Sequence, residues 1–426
     1  MRTQASTLRS PGAPSSRRLA PLILLLGSIT AIGPMSIDLY LPAFPELRTS
    51  LHTSASMIQV SLTTFLIGLA VGQMVVGPLS DAIGRRRPLL VGMTGYALAS
   101  VFCALAPNVE SLLAGRALQG FFGSVGAVLA QALVRDLFDG PLVARILSRL
   151  LLVMGVAPVL APTLGGQLLT VTGWRGLFWV LTLFGVVMAV VVAVFVRETL
   201  PAEHRNRGGV RESIQGYRRV LSDRLYLAYG GISVLGFFLI FGYVSGSPFA
   251  YQTVHGVSPQ LFGVLFGANA VGMVVASQVN ARLVLKMSSF TILSRAVPVT
   301  VVAVLTLIVT TTTGAFGLLG LAVPLFVMMT SIGLILPNSG ALALNRHPRS
   351  AGTAAAMVGM SQFVVGSLAG PAIGAFGAGT ATPMVVVIAV GAAGMATIVL
   401  LAARRAKGDR REGDLEVSEP EPATAG

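Results

Sequence analysis

Gly77-Pro78-Leu79-Ser80-Asp81-Ala82-Ile83-Gly84-Arg85-Arg86-Arg87 is the stretch from which the fold is read. It lies between two apolar runs, each long enough to cross a bilayer, so it is a tight loop at a membrane surface. Gly77 is expected to let one helix end approach a neighbour closely. Gly84 permits the reversal, and Arg85, Arg86 and Arg87 mark the loop as cytoplasmic. Asp81 stands at the membrane edge, near the level of Arg135 and Asp136. A latch is expected in which Asp81, Arg135 and the loop arginines pair when the cytoplasmic side is closed and part when it opens. Interfacial charges solvated by water, worth about 0–1 kcal/mol, are the alternative.

The rest of the chain supports a polytopic membrane protein. Of 426 residues, 54% are hydrophobic and 11% charged, against about 25% charged in a soluble domain. The apolar spans fall at 19–41, 57–80, 88–106, 110–135, 143–170, 174–196, 225–248, 259–285, 290–312, 315–343, 352–377 and 381–403. They follow a polar N-terminal tail, 1–18, with span one read as uncleaved. The halves, 19–196 and 225–403, are joined by a basic cytoplasmic loop, 197–224, and followed by a tail, 404–426, expected to be disordered. Ala70-Val71-Gly72 recurs as Ala270-Val271-Gly272, a faint repeat between the halves.

The net charge of +14 points to lipid and insertion rather than nucleic acid, because all basic residues but Arg48, Arg116 and Arg175 fall in the tails or in and around the loops on one side. That pattern places both termini in the cytoplasm. The single cysteine, Cys103, excludes a disulfide framework. The four histidines fall in separate loops, so neither a metal site nor a histidine-based catalytic dyad is expected, and no catalytic residues are assigned.

Two charges remain at membrane depth: Asp38 in span one and Arg116 in span four. A charge there is a functional-site hypothesis. Span one runs outward and span four inward, so both sit at comparable depth in one half and are expected to face one cavity. Burial raises a carboxylate's proton affinity and a nearby arginine lowers it, which suits a group that loads and unloads protons. A structural ion pair is the other reading. Span five carries Gly155, Pro158, Pro162, Gly165 and Gly166; proline removes a helix hydrogen bond and glycine permits close contact at the seam between halves. Tyr40, Gln119, Phe238, Tyr243, Asn269 and Gln362 are candidates for the wall and polar anchors of a substrate cavity, with ordinary helix packing as the competing role.

The loop resembles the G-x-x-x-D-x-x-G-R-R/K signature of the major facilitator superfamily, and Arg116-Ala117-Leu118-Gln119-Gly120 resembles that superfamily's fourth-helix R-x-x-Q-G. The resemblance implies an all-α membrane fold of twelve transmembrane helices in two six-helix halves around a central cavity, and a proton-coupling role for Arg116. Gly155 to Gly166 (GVAPVLAPTLGG) looks like the antiporter motif of drug:proton exchangers. Ser36-Ile37-Asp38-Leu39-Tyr40-Leu41-Pro42-Ala43-Phe44-Pro45 resembles the S-x-D-x-Y-L-P-A-x-P of the bicyclomycin-resistance (Bcr/CflA) efflux family, and so does the stretch Ser247 to Gly263. Some related exporters carry a second acid two turns before the first-helix aspartate; here that position is Thr30. The resemblance implies a proton-coupled exporter of small amphipathic drugs in the bacterial cytoplasmic membrane, driven by the proton gradient without a cofactor, and expected to be a monomer. Uptake by the same fold, or export of the host's own metabolite, stays open; a membrane enzyme or receptor is disfavoured by the absence of clustered catalytic side chains and of a sizeable soluble domain.

Overall fold

The computed structural model describes residues 16–138, 140–201, 203, 220–347, 351–377 and 379–416. Most of the expected N-terminal tail, residues 204–219 of the central loop and residues 417–426 lie outside them.

The described chain is helical. The elements are α1 (Ser16–Asp38), α2 (Phe44–Ser50), α3 (Ala55–Ile83), α4 (Arg86–Ala104), α5 (Val109–Leu137), α6 (141–172), α7 (174–195), α8 (Arg224–Pro248), α9 (Pro259–Leu283), α10 (Ser289–Thr313), α11 (Gly317–Leu344), α12 (Ala351–Ser367), α13 (Ala369–Ala375) and α14 (Thr382–Glu416). Setting aside the short α2 and α13, twelve long helices remain among the described residues. The boundary between α6 and α7 is one residue, Gly173, whose φ of 61° and ψ of −178° break an otherwise continuous helical run. Without a Cβ, glycine takes that conformation without steric penalty. The last helix runs on to Glu416, past the expected limit at 403, so residues 404–416 are helical rather than disordered.

Local sequence explains the breaks. Pro42 and Pro45 offer no amide hydrogen and cannot extend α1, so the chain passes through a 3-10 turn, Leu41–Ala43, into α2. Ser54, Asn108, Asp223, Ser258 and Ser288 each accept an N–H of the first turn of the following helix. Leu98, Val190, Phe195, Val302 and Val390 project outward from the bundle as lipid-facing residues.

Small residues set the spacing within each half. A Cβ on Gly68 would strike the Ala117 carbonyl, one on Gly120 the Phe65 carbonyl, and one on Gly126 the Ile29 carbonyl. These helices approach to backbone contact. The repeat noted in the sequence has a structural meaning. Gly72 meets Phe121 and Ser124 where α3 crosses α5, and Gly272 meets Phe326 and Thr330 where α9 crosses α11. Second and fourth spans of one half therefore cross as second and fourth spans of the other.

The halves meet through α3 against α12–α13 and α6 against α9. Cross-half hydrogen bonds found among the described residues gather at the end remote from the arginine loop. Gln59 Nε2 donates to the Ser245 carbonyl (3.2 Å), Thr63 Oγ1 to the Ser367 carbonyl (2.8 Å), Gln260 Nε2 to the Gly166 carbonyl (3.2 Å) and Thr163 Oγ1 to the Gly263 carbonyl (3.2 Å). The bundle is shut at that end, called here the closed end; the end bearing Arg85–Arg87 is the basic end.

Candidate functional site

Arg116 and Asp38 are both buried, at 0% and 5% exposure, yet they do not pair. Arg116 is held inside the first half. Its Nη1 donates to Gln119 Oε1 (2.5 Å) and its Nη2 to the Ser36 carbonyl (3.0 Å). The guanidinium carbon lies 4.2 Å from the Tyr40 ring centre and 4.3 Å from that of Phe65, so aromatic faces carry much of the charge's solvation. Gln119 passes the network on by donating to Ser100 Oγ (2.7 Å), and Ser36 Oγ bonds the Tyr96 hydroxyl (2.6 Å). The cluster ties α1, α3, α4 and α5 together. The expectation of one cavity shared by Asp38 and Arg116 is corrected accordingly: the rigid guanidinium fork is engaged by a backbone carbonyl and an amide.

Tyr40 and Gln119 are corrected with it. Both are fully buried, Tyr40 under Arg116 with its hydroxyl 3.1 Å from Ser61 Oγ, and Gln119 as the arginine's acceptor. They belong to the packed interior of the half and not to a cavity wall. Phe238 is half-buried and points at Gly391 of α14. Gln362 Nε2 donates to Ser233 Oγ (2.8 Å), joining α12 to α8.

Asp38 closes α1 at the seam. Its carboxylate makes no hydrogen bond or ion pair among the described residues, and it lies within electrostatic range of Tyr243 on α8, in the other half. Tyr243 is fully buried, stacks on Phe266 (5.1 Å between centres) and accepts from Asn269 Nδ2 at 2.9 Å. Sequence reading named Tyr243 and Asn269 as candidates but gave no reason to pair them with Asp38. That juxtaposition depends on how two halves dock. Thr30, where related exporters have a second acid, donates to the Leu26 carbonyl of its own helix (2.7 Å).

Of the glycines of α6, Gly155 and Gly166 face the second half, while Gly165 faces the end of α1 in its own half. A Cβ on Gly165 would strike the Leu39 carbonyl, one on Gly166 would come 2.5 Å from the Pro259 carbonyl, and one on Gly155 would come 3.0 Å from Val274. The helix continues through Pro158 and Pro162 without a break, the interruption falling later, at Gly173.

At the basic end the charges converge on one arginine. Arg85 donates through Nε to Asp136 (3.0 Å) and through Nη1 to Asp81 (2.5 Å) and Ser80 Oγ (2.7 Å). Arg135 stands outside this cluster, exposed, because Asp136 is the neighbour whose side chain turns toward Arg85. The ion pairs formed are those of Arg85 with Asp81 and Asp136, all within the first half, in place of the expected pairing of Asp81 with Arg135, and they are joined while the opposite, closed end holds the halves together. Gly84 takes a φ of 99° and bears out the turn. Gly77 does not bear out close approach: a Cβ there would meet nothing within 4 Å.

One residue of this cluster was not foreseen. Glu198, just past α7, accepts the backbone N–H groups of Arg85 (2.7 Å) and Arg86 (3.3 Å), as well as those of Thr199 and Leu200. It supplies the negative charge that the start of α4 favours. Partial burial alone would raise its pKa; the four N–H donors outweigh that and hold it below the usual glutamate value. A loop acid among arginines looks solvated in sequence, so no signal marked it.

Comparison with known proteins bears on the whole chain. A sequence profile of the Major Facilitator Superfamily matches residues 26–371. An uncharacterized MFS-type transporter, YdgK, of Bacillus subtilis is 39% identical over 87% of this chain and 92% of its own. A bicyclomycin resistance protein homolog of Haemophilus influenzae is 32% identical, covering 85% and 91%. A chloramphenicol resistance protein of Pseudomonas aeruginosa is 29% identical, covering 94% of each. Among solved structures, the nucleoside transporter NupG superposes with a TM-score of 0.72 at 10% identity, over 89% of this chain and 98% of that one, a likeness of fold alone.

Proposed function

The chain belongs to the Major Facilitator Superfamily, and we propose on that premise that it is a proton-coupled exporter of small amphipathic drugs, working by alternating access. The observation that carries the reading is Asp38: an acid 5% exposed, at the seam between halves, with no ion pair among the described residues. Relatives named for bicyclomycin and chloramphenicol resistance supply the substrate class. The basic end faces the cytoplasm of a bacterial cell, with both ends of the chain on that side. The closed end is then external, and this conformation faces inward. The protein acts as a monomer and draws on the proton gradient alone.

Facing the cytoplasm, the deprotonated Asp38 favours drug binding. Facing out, the acid takes a proton and the drug leaves. Coupling requires that the two ligands prefer different states. One charge crossing 100 mV contributes about 2.3 kcal/mol, enough for roughly a fiftyfold gradient of a neutral drug. Inverted vesicles energised to be acid inside test this. Adding chloramphenicol or bicyclomycin is expected to alkalinise the lumen, and Asp38→Asn, expressed normally, is expected to abolish the response. Full activity of that variant, or no response to either drug in vesicles containing the protein, would overturn the reading.

A further inference from the structure

The 3-10 turn Leu41–Ala43 and the short helix α2 join spans one and two at the closed end. Two polar side chains of α2 turn to the first half. Glu46 accepts the backbone N–H of Trp174 (3.1 Å), the first residue of α7, and Trp174 Nε1 donates to Ser50 Oγ (3.0 Å). A Cβ on Gly173 would come 3.0 Å from Glu46 Oε1, so the glycine that separates α6 from α7 also leaves room for this carboxylate. Arg175 reinforces the fastening. Its guanidinium carbon lies 4.2 Å from the Trp174 ring centre, and its Nη2 donates to the Ala106 carbonyl (3.0 Å) in the turn before α5. The α4–α5 turn, the α6–α7 turn and α2 are thereby joined into one outer cap of the first half.

Toward the second half α2 presents an aromatic ring. Phe44, fully buried, meets Phe249 at 5.9 Å between ring centres, with the planes 49° apart. Phe249 is also buried and opens the π turn Phe249–Val254 that ends α8; such turns are uncommon and gather at functional sites. Among the described residues no hydrogen bond or ion pair joins α2 to the second half. The two attachments therefore differ in kind. Trp174 is 2% exposed, so its backbone and indole N–H groups would lose their partners if α2 left the first half. The rings of Phe44 and Phe249 can part without stranding a polar group. Between Asp38 and Phe44 the chain is buried throughout, from Leu39 to Ala43. This turn covers the outer approach to Asp38, and the Phe44–Phe249 contact is its edge against the second half.

We propose that α2 is the outer lid over Asp38, carried by the first half through Glu46, Ser50 and Trp174, and that the outer side opens by parting Phe44 from Phe249. This deepens the alternating-access reading and rests on it. The cross-half hydrogen bonds of the closed end part in the same movement, while those between α2 and Trp174 persist. Glu46 and Trp174 act through α2 and are positioning residues. Phe44 and Phe249 are the two edges of the seal.

The test needs neither drug nor proton gradient. Purified protein in nanodiscs is followed by amide hydrogen exchange at Leu39–Phe44 and at the π turn, which reports openings of the closed end. In Phe44→Cys/Phe249→Cys, bridging the two thiols with a short bifunctional reagent is expected to slow exchange in both segments at least about tenfold relative to the unbridged sample. In Ser50→Cys/Trp174→Cys, the same reagent is expected to leave both rates unchanged. Cys103 is buried and out of the reagent's reach. Phe249→Leu, without a bridge, is expected to raise exchange at Leu39–Phe44 severalfold, and it serves where a double variant does not fold. Unchanged rates in the bridged Phe44→Cys/Phe249→Cys protein, or in Phe249→Leu, would overturn the lid. Equal slowing in the bridged Ser50→Cys/Trp174→Cys protein would mean that α2 leaves the first half on opening, and would overturn it as well. A missing drug response in the vesicles, with the exchange pattern as expected, would overturn the exporter reading and leave the lid standing.

Discussion

Ser80 in the first half and Asn280 in the second occupy matching places near the basic end, and they are served by different chemistry. Ser80 Oγ accepts from Arg85, which also binds Asp81 and Asp136. Asn280 Oδ1 accepts from Asn338 Nδ2 at 2.6 Å, across the α9–α11 contact. Where the first half has Arg85, the repeat places Leu285, 83% exposed. The same helix crossing is thus closed by ions on one side and by a pair of amides on the other. Ions at a membrane edge can part into water and be screened by salt; a buried amide pair has nowhere else to find partners. The first half therefore carries contacts that water and salt can weaken, and the second a contact they reach less.

The largest effect expected within this comparison comes from closing the helix spacing. Gly120→Val drives a side chain into the Phe65 carbonyl and is expected to leave little folded protein on size-exclusion chromatography. Gly77→Ala is expected to change thermal stability by no more than about 0.5 kcal/mol. A transport defect in Gly77→Ala at full stability would place the contact of Gly77 in the outward-facing state.

Arg85→Met strands two carboxylates and is expected to destabilise the protein by about 2 kcal/mol. Asn338→Leu loses the side-chain hydrogen bonds to Asn280 and to the Leu334 carbonyl of its own helix, with no ion involved, and is expected to lose about 1 kcal/mol. High salt should narrow the stability gap between Arg85→Met and the parent and leave that for Asn338→Leu alone. Thermal denaturation in low and high salt reads both, and equal salt sensitivity would break the contrast.

Smaller still, Asp81→Asn is expected to change stability by about 0–1 kcal/mol, because half of that side chain is in solvent. Arg135→Ala, outside the cluster, is expected to be silent in the same assay. The smallest effect concerns pH. Glu198 is held below its usual pKa, so its capping contribution is full above the unfolded value and is lost only as pH falls through the lower, folded one. Hydrogen exchange at the amides of Arg85 and Arg86, corrected for intrinsic rates, should show constant protection down to about pH 5. Loss of protection near neutral pH would contradict the assigned capping.

Much of this molecule was legible before its coordinates. Twelve apolar runs specify twelve crossings because lipid leaves the backbone no other partner, and Gly84 announced its turn. Asp38 and Arg116 stood out since a charge in an apolar run is conspicuous. Their separation was not legible: it depends on a guanidinium turning toward the Ser36 carbonyl and the rings of Tyr40 and Phe65. Asp136 and Arg135 are adjacent in sequence, and which one faces the bundle is decided by about 100° of helical rotation. Glu198 and the grouping of Asp38 with Tyr243 arise only when distant segments dock. Gly77 was misread because a motif fixes a residue's identity and not the face it presents.

The glycine seam between α6 and α9 also constrains how this protein can change over generations. Gly166 meets the Pro259 carbonyl and Gly263 meets the Pro162 carbonyl, so each half presses on the other's main chain. A clash between side chains can be relieved by trimming the opposing side chain. A clash with a carbonyl has no allele to trim. Suppressors of Gly166→Ala should therefore be absent from the facing residues of α9 and arise at distant positions that favour the outward-open state. Residues at the seam would be expected to drift singly and slowly, and to show no compensating partner across it.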